Sequence, residues 1–422
     1  MKKTLAAVGL FLYMACLAVP TVYYLSACFN LFKKNNLLMC LLDRNIETQD
    51  FVHYYILGQM AASPDAHSVY NAAVQCTWFH KLVLENKGLV TNQEFWTLFS
   101  PMVFPFCLPM AYMSLDQAYI AFVVLCAISL TVFFPLAVNA LGKRSLFCNV
   151  AIIFCAIGNI QGVMSISKGQ PAFLLLALES LFFYGWVKKI DWLTGMSIGI
   201  LFFKPHYALF FLTPVIVARR WKAFLACSGT AGLIAILGGL LIGFDNVINF
   251  PSIITHNDIG SCHGMVSLRF FASQVLGDLQ ALHLSLGIML AGLSINLLMW
   301  WNGLKKGLDQ TWLICCTVLL CLLTSPHTFH YDLVMLCLLV VSIVPAKIQY
   351  QKLAKISYAI YRALLIAYPA ISWLFPLVFA SKNKISSPYD PIQSVISISL
   401  SLILLALALI CLFDKEAKPI SE

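Results

Sequence analysis

The chain has 422 residues, 60% of them hydrophobic and 11% charged, with a mean hydropathy of +0.85. Soluble domains carry roughly 45–50% apolar and about 25% charged residues, so the composition excludes a soluble enzyme and points to an integral membrane protein. The formal net charge of +9 reads as topology rather than nucleic-acid binding, because Lys and Arg of membrane proteins gather on cytoplasmic loops.

Long continuous apolar runs, rather than short alternating ones, predict an all-α polytopic bundle with about ten full spans plus one broken pair. The first span covers residues 4–31. Its end, Leu25-Ser26-Ala27-Cys28, resembles a lipoprotein cleavage box, but the run is long enough to cross a bilayer and is read as uncleaved. Residues 32–99 hold no apolar run of about 20 residues and form a large first external loop. That loop is expected to carry amphipathic helices over 50–62 and 68–84, separated by a turn at Ser63-Pro64-Asp65. On the first helix the helical period sets Asp50, His53, Tyr54 and Leu57 along one stripe. Asp50 is there either a catalytic carboxylate or a helix cap.

The next segment, 99–110, carries Pro101, Pro105 and Pro109 and reads as re-entrant or interfacial. Spans are predicted at 117–141, 147–164 and 171–187, followed by two short runs, 192–203 and 206–218, interrupted by Lys204-Pro205-His206. Later spans fall at 223–243, 283–302, 310–324, 330–346, 356–379 and 392–413. Most of the 27 Lys and Arg, including Lys143, Lys188, Arg219, Arg220, Lys305 and Lys355, then share one side with both termini, the cytoplasmic side. Asp50, Lys168, Gln170, Lys204, His206, residues 256–269 and residues 325–332 land on the opposite, external face. The whole of 1–422 is read as a single integral unit, in the cell inner (plasma) membrane, with loop 32–99 as its catalytic part.

The 15 cysteines lack metal-ligand spacing and read as small buried hydrophobes, with a Cys40–Cys76 disulfide chemically allowed in the loop. No metal site and no cofactor is expected, a divalent ion staying open. Four motifs resemble a known family. They are Asp50-Phe-Val-His-Tyr-Tyr with Tyr70-Asn71 downstream; Phe99-Ser-Pro-Met-Val-Phe-Pro-Phe-Cys-Leu-Pro-Met; Gly169-Gln170-Pro171 followed by Gly195, Lys204-Pro205-His206 and Arg219-Arg220-Trp221; and Thr324-Ser-Pro-His-Thr-Phe-His-Tyr331-Asp332. Together they are similar to glycosyltransferase family 87, the "domain of unknown function 2029" group of polyprenyl-phosphate-sugar-dependent, α-mannosyltransferase-like enzymes. One proline of that family's usual pair is missing, since Met102 follows Pro101.

The resemblance implies a GT-C-like fold and transfer of a hexose, mannose foremost, from a polyprenyl-phosphate donor to a glycan or glycolipid acceptor at the external face. Partners would be that donor, that acceptor and membrane lipids, with no nucleic acid. Sugar transfer needs a base for the acceptor hydroxyl and a cationic site for the departing phosphate. Asp50 is the candidate base. Lys204, Arg269, His327 and His330 are candidates for the phosphate, supported by His53, Tyr54, Gln170, His206, Tyr331 and Asp332. Lys204 could instead snorkel to the interface, Arg269 could be an interfacial anchor and the histidines could be structural. Glu179 is an intramembrane carboxylate in need of a partner. The competing classes are a transporter or lipid/glycan flippase, and an O-antigen ligase or polymerase-like enzyme.

Overall fold

The computed structural model of the chain describes residues 50–85, 97–133, 135–136, 140, 160–256, 265–343, 348–349, 352–380, 391–413 and 418–419. They are almost wholly helical. In chain order the α-helices are α1 (Asp50–Ala61), α2 (Ala72–Glu85), α3 (Phe104–Cys107), α4 (Leu115–Ile128), α5 (Ile160–Lys168), α6 (Ala172–Val187), α7 (Asp191–Leu201), α8 (Pro205–Val217), α9 (Trp221–Ile242), α10 (Phe244–His256), α11 (Arg269–Val275), α12 (Asp278–Lys305), α13 (Gln310–Thr324), α14 (Lys352–Ala380) and α15 (Pro391–Leu412). Two-residue strands, Ile348–Gln349 and Lys418–Pro419, pair antiparallel.

Four stretches, Leu115–Val132, Trp221–Ile242, Leu279–Lys305 and Ser394–Leu412, are long and apolar enough to cross a bilayer. They leave Leu225, Leu233, Leu240 and Leu290 exposed, an apolar surface suited to lipid rather than water. Among the described residues these four stand against the expected ten or so. The expected spans 171–187 and 310–324 are helices of 16 and 15 residues, shorter than the ~20 that a perpendicular crossing takes. The stretch expected as 330–346 is instead a 3-10 run, His330–Ile343, of 14 residues. Residues 4–31 and most of 147–164 lie outside the described residues, as do Cys40, Cys262 and Asp258; Cys76 is a free thiol.

The first-loop helices form near their expected bounds, but only one is amphipathic. Helix α2 buries Gln75, Phe79 and Leu82 on one face. Helix α1 buries Phe51, Val52, Tyr54, Tyr55, Ile56, Leu57 and Met60, around its whole circumference. It is wedged into the bundle, with apolar residues beside its polar stripe on the remaining faces. The proline-rich segment is indeed broken, into 3-10 turns at Pro101–Val103 and Leu108–Tyr112 flanking α3. Its carbonyls are covered from α1, where Tyr55 Oη donates to Met113 O at 3.0 Å and Gln59 Nε2 to Ala111 O at 3.2 Å. On the other side Gly238 of α9 lies against the Pro101 carbonyl.

Small residues let the helices approach. Gly195 and Gly199 of α7 lie directly on Ala223, Ala226, Cys227 and Thr230 of α9, a small-xxx-small contact of the kind that packs helices in lipid. Pro214 cannot donate to the carbonyl one turn back at Phe210, and Asn296 Nδ2 of α12 donates to that carbonyl at 3.0 Å instead. The same Asn296 accepts from Thr317, which accepts from Trp300. A proline break thereby becomes a tie between α8, α12 and α13.

Helices α5, α6, α8 and α12 close in the same way. Gly169, Lys189, Arg219 and Gly307 take the left-handed conformation, and paired backbone bonds such as Gly169 N to Ile166 O and Gln170 N to Ser165 O complete each turn. This is the Schellman closure. Three of the four turns meet at one end of the bundle, which carries Lys188, Arg220 and Lys305; the turn at Gly169 lies at the other.

Candidate active site

At that other end the Gly169 turn positions the candidate base. Gly169 is packed on the Phe51 side chain, and any Cβ there would overlap it. The first residues of α1 are consequently pinned beside Lys168 and Gln170, both buried. Burial pushes the Asp50 carboxyl up from 3.8 to about 6, while a hydrogen bond from Gln170 and the charges of Lys168 and Lys204 pull it down and the charge of Asp332 pushes it up. A carboxylate in this range is ionised at neutral pH yet keeps appreciable basicity. Tyr54 stacks on Phe99 with ring centroids 4.5 Å apart, and burial with the Asp50, Cys107 and Asp332 charges drives its hydroxyl upward. His53 meets the edge of the same Phe99 ring; burial lowers it to about 4.

The second group comes from the break between α7 and α8. Lys204 is the residue before α8, with Pro205 at the first helical position, where a missing N–H costs nothing. Its Nζ is 2.8 Å from Asp332 Oδ1, and it lies over the rings of Tyr207 and Tyr331. Asp332 is fully buried, and its second oxygen accepts from Phe329 N at 3.0 Å. Lys204, a candidate for the phosphate, is thus paired with a carboxylate of its own chain.

The third group comes from the segment leading to α11. Met265 bridges Phe329, Val266 N donates to Thr328 O at 2.9 Å and Leu268 N to Leu323 O at 2.8 Å, so residues 265–268 run beside 323–329. This brings Arg269 to the loop after α13. Arg269 is 1% exposed, and its Nη1 donates to Pro326 O at 3.1 Å. Its Nε and Nη2 have no hydrogen-bond partner, and among the described residues no carboxylate pairs with it. His206 and His327 face one another with ring centroids 6.5 Å apart, and His206 Nε2 and His327 Nδ1 are also buried without partners. Burial, then the Arg269 and Lys204 charges, lower His327 to about 3, so it stays neutral.

The expected residues thus separate. Asp50, Gln170, Lys204, Asp332, Arg269, His206 and His327 belong to one electrostatically connected end of the bundle. His330 turns toward the last helix, with Nε2 3.4 Å from Ser394 Oγ. Asp65, in the turn after α1, accepts from half-buried Trp78 Nε1 at 2.9 Å. Glu179 of α6 is fully buried with neither oxygen hydrogen-bonded. Ser267 is also buried, with its Oγ unpartnered; a serine in Val-Ser-Leu-Arg carries no signal in the sequence, and the 265–329 bridge alone sets it beside the loop after α13.

No carboxylate–histidine–cysteine group of three or more capable of holding a metal occurs among the described residues. Chemically, the site offers a basic carboxylate with Lys168 beside it, Lys204 neutralised by Asp332, and Arg269 with idle donors, which suits removal of a hydroxyl proton and stabilisation of an oxyanion. Compared with known proteins, residues 96–326 match the family model described as glycosyltransferase family 87. No curated protein and no solved structure matches the chain.

Proposed function

The chain belongs to glycosyltransferase family 87, and from that premise we propose that it moves a hexose, mannose foremost, from a polyprenyl-phosphate donor to a glycan or glycolipid acceptor. In this reading residues 1–422 form one GT-C-like unit of about ten spans in the plasma membrane, both termini cytoplasmic, with the catalytic loop 32–99 on the external face. Asp50 is the general base. It takes the acceptor hydroxyl proton as that oxygen attacks the anomeric carbon; the bond from that carbon to the phosphate oxygen breaks, and its electron pair leaves with the lipid phosphate. Arg269, His327 and Lys204 meet the charge that develops there. His330, facing Ser394, is left out of this phosphate group.

The observation that carries the reading is the environment of Asp50: a pinned carboxylate held near 6, beside Gln170 and within the field of Lys168 and Lys204. The Asp50→Asn variant keeps size and capping ability and removes the proton acceptor. With membranes and a polyprenyl-monophosphate sugar donor, turnover should fall about 10²–10⁴-fold while abundance and donor binding persist. An active Asp50→Asn enzyme sinks Asp50 as base. Oligosaccharide transfer that requires a pyrophosphate donor would favour the ligase class instead.

A further inference from the structure

Arg269 carries an unusual pattern of use. The two idle nitrogens, Nε and Nη2, form one edge of the guanidinium, the edge that makes two parallel hydrogen bonds to an oxyanion. An arginine 1% exposed with that edge unpaired loses its hydration and gains nothing in return. An anionic ligand restores the balance.

Further polar atoms in the same condition occur in the segments next to Arg269. Ser267, two residues earlier, is 1% exposed and its Oγ has no partner. The Met265–Phe329 bridge and the Val266 N to Thr328 O bond lay Ser267 beside the turn bearing His327. His327 Nδ1 and His206 Nε2 are idle as well. We propose that Ser267 is a donor-binding residue, its hydroxyl completing with Arg269, His206 and His327 a cradle for the single phosphoryl group of a lipid phosphate. A hydroxyl can donate to one phosphoryl oxygen while the guanidinium edge holds two. This rests on the proposed donor class and adds to it a residue that no family motif quoted above contains.

The test uses the full chain in detergent and two probes, a short-chain polyprenyl phosphate and the matching polyprenol without phosphate. The wild-type protein binds the phosphate. Ser267→Ala and the similarly sized Ser267→Cys weaken that binding about tenfold or more, leave polyprenol binding and the unfolding midpoint unchanged, and leave the acceptor KM unchanged. Ser267→Asp, which sets a carboxylate beside Arg269, abolishes phosphate binding. Unaltered binding of polyprenyl phosphate by Ser267→Ala or Ser267→Cys overturns the role of Ser267 alone. A wild-type protein that transfers sugar but does not bind polyprenyl phosphate overturns the donor class and this cradle together.

Discussion

Two arginines, one at each end of the bundle, show how differently the same side chain is used. Arg220 sits where α6, α7 and α9 meet. Its Nε donates to Asp191 Oδ1 at 2.6 Å, its Nη1 to Trp186 O at 3.3 Å, and its guanidinium lies 4.6 Å from the Trp186 ring. Trp186 in turn donates to Gln310 at 2.8 Å, so three loops are tied together. Arg269, at the other end, has one carbonyl partner and an idle edge. An arginine surrounded by its own chain's acceptors is a fastening; one buried without them is arranged for something the chain does not supply. The ion pairs repeat the contrast: Asp191 is 29% exposed and Asp332 fully buried.

The largest expected difference between the ends is in stability. Asp332→Asn leaves Lys204 without its carboxylate in a largely buried setting and should cost about 3–5 kcal/mol, read from unfolding in detergent; a loss under about 1 kcal/mol would erase the distinction drawn here. Next is the pH response of the site end. If Asp50 is the base, kcat/KM should fall about tenfold per unit below about pH 6. Its folded value lies above the unfolded 3.8, so between about pH 4 and 6 the native state binds the extra proton, and stability falls as pH rises through that window. Rate and stability move in opposite directions there. A flat rate profile down to pH 5 would remove Asp50 from the proton transfer.

A smaller effect is expected at the turn that pins α1. Gly169→Ala puts a side chain into a left-handed residue pressed on Phe51 and should cost roughly 1–3 kcal/mol together with a loss of turnover, since Asp50 is displaced with Phe51. Unchanged turnover would show that the turn does not set the position of the base. The smallest effect belongs to the other end. Asp191→Asn should cost about 0–1 kcal/mol and leave donor binding unchanged, because that pair is partly solvated and far from the site.

Much of this protein could be read from the order of its residues. The all-helical membrane class follows from composition, because only hydrogen-bonded helices or closed barrels satisfy a backbone in lipid. Breaks at 101–109 and at Lys204-Pro205 are written in proline, which fixes its own dihedral and gives up a donor. Gly169-Gln170-Pro171 states a helix end by the same local rule. Lys204 stands out because a charge at a helix break in such a chain is costly to bury, and Asp50 because the helical period puts it on one stripe with His53 and Tyr54.

Only the tertiary structure decided which charges share a partner. Lys204 and Asp332 are 128 residues apart, and the sequence marks one as a phosphate candidate and the other as a supporting residue without saying that they neutralise each other. Arg269 and Pro326, 57 residues apart, meet through a backbone bridge that has no side-chain signature, and the same bridge places Ser267. Helix α1 reads as a stripe of polar residues on an exposed loop, yet is enclosed, since burial depends on what surrounds a helix as well as on its own period. Local rules fix dihedral angles and helix ends; whether a buried cation is satisfied or idle depends on distant segments that only the folded chain brings into reach.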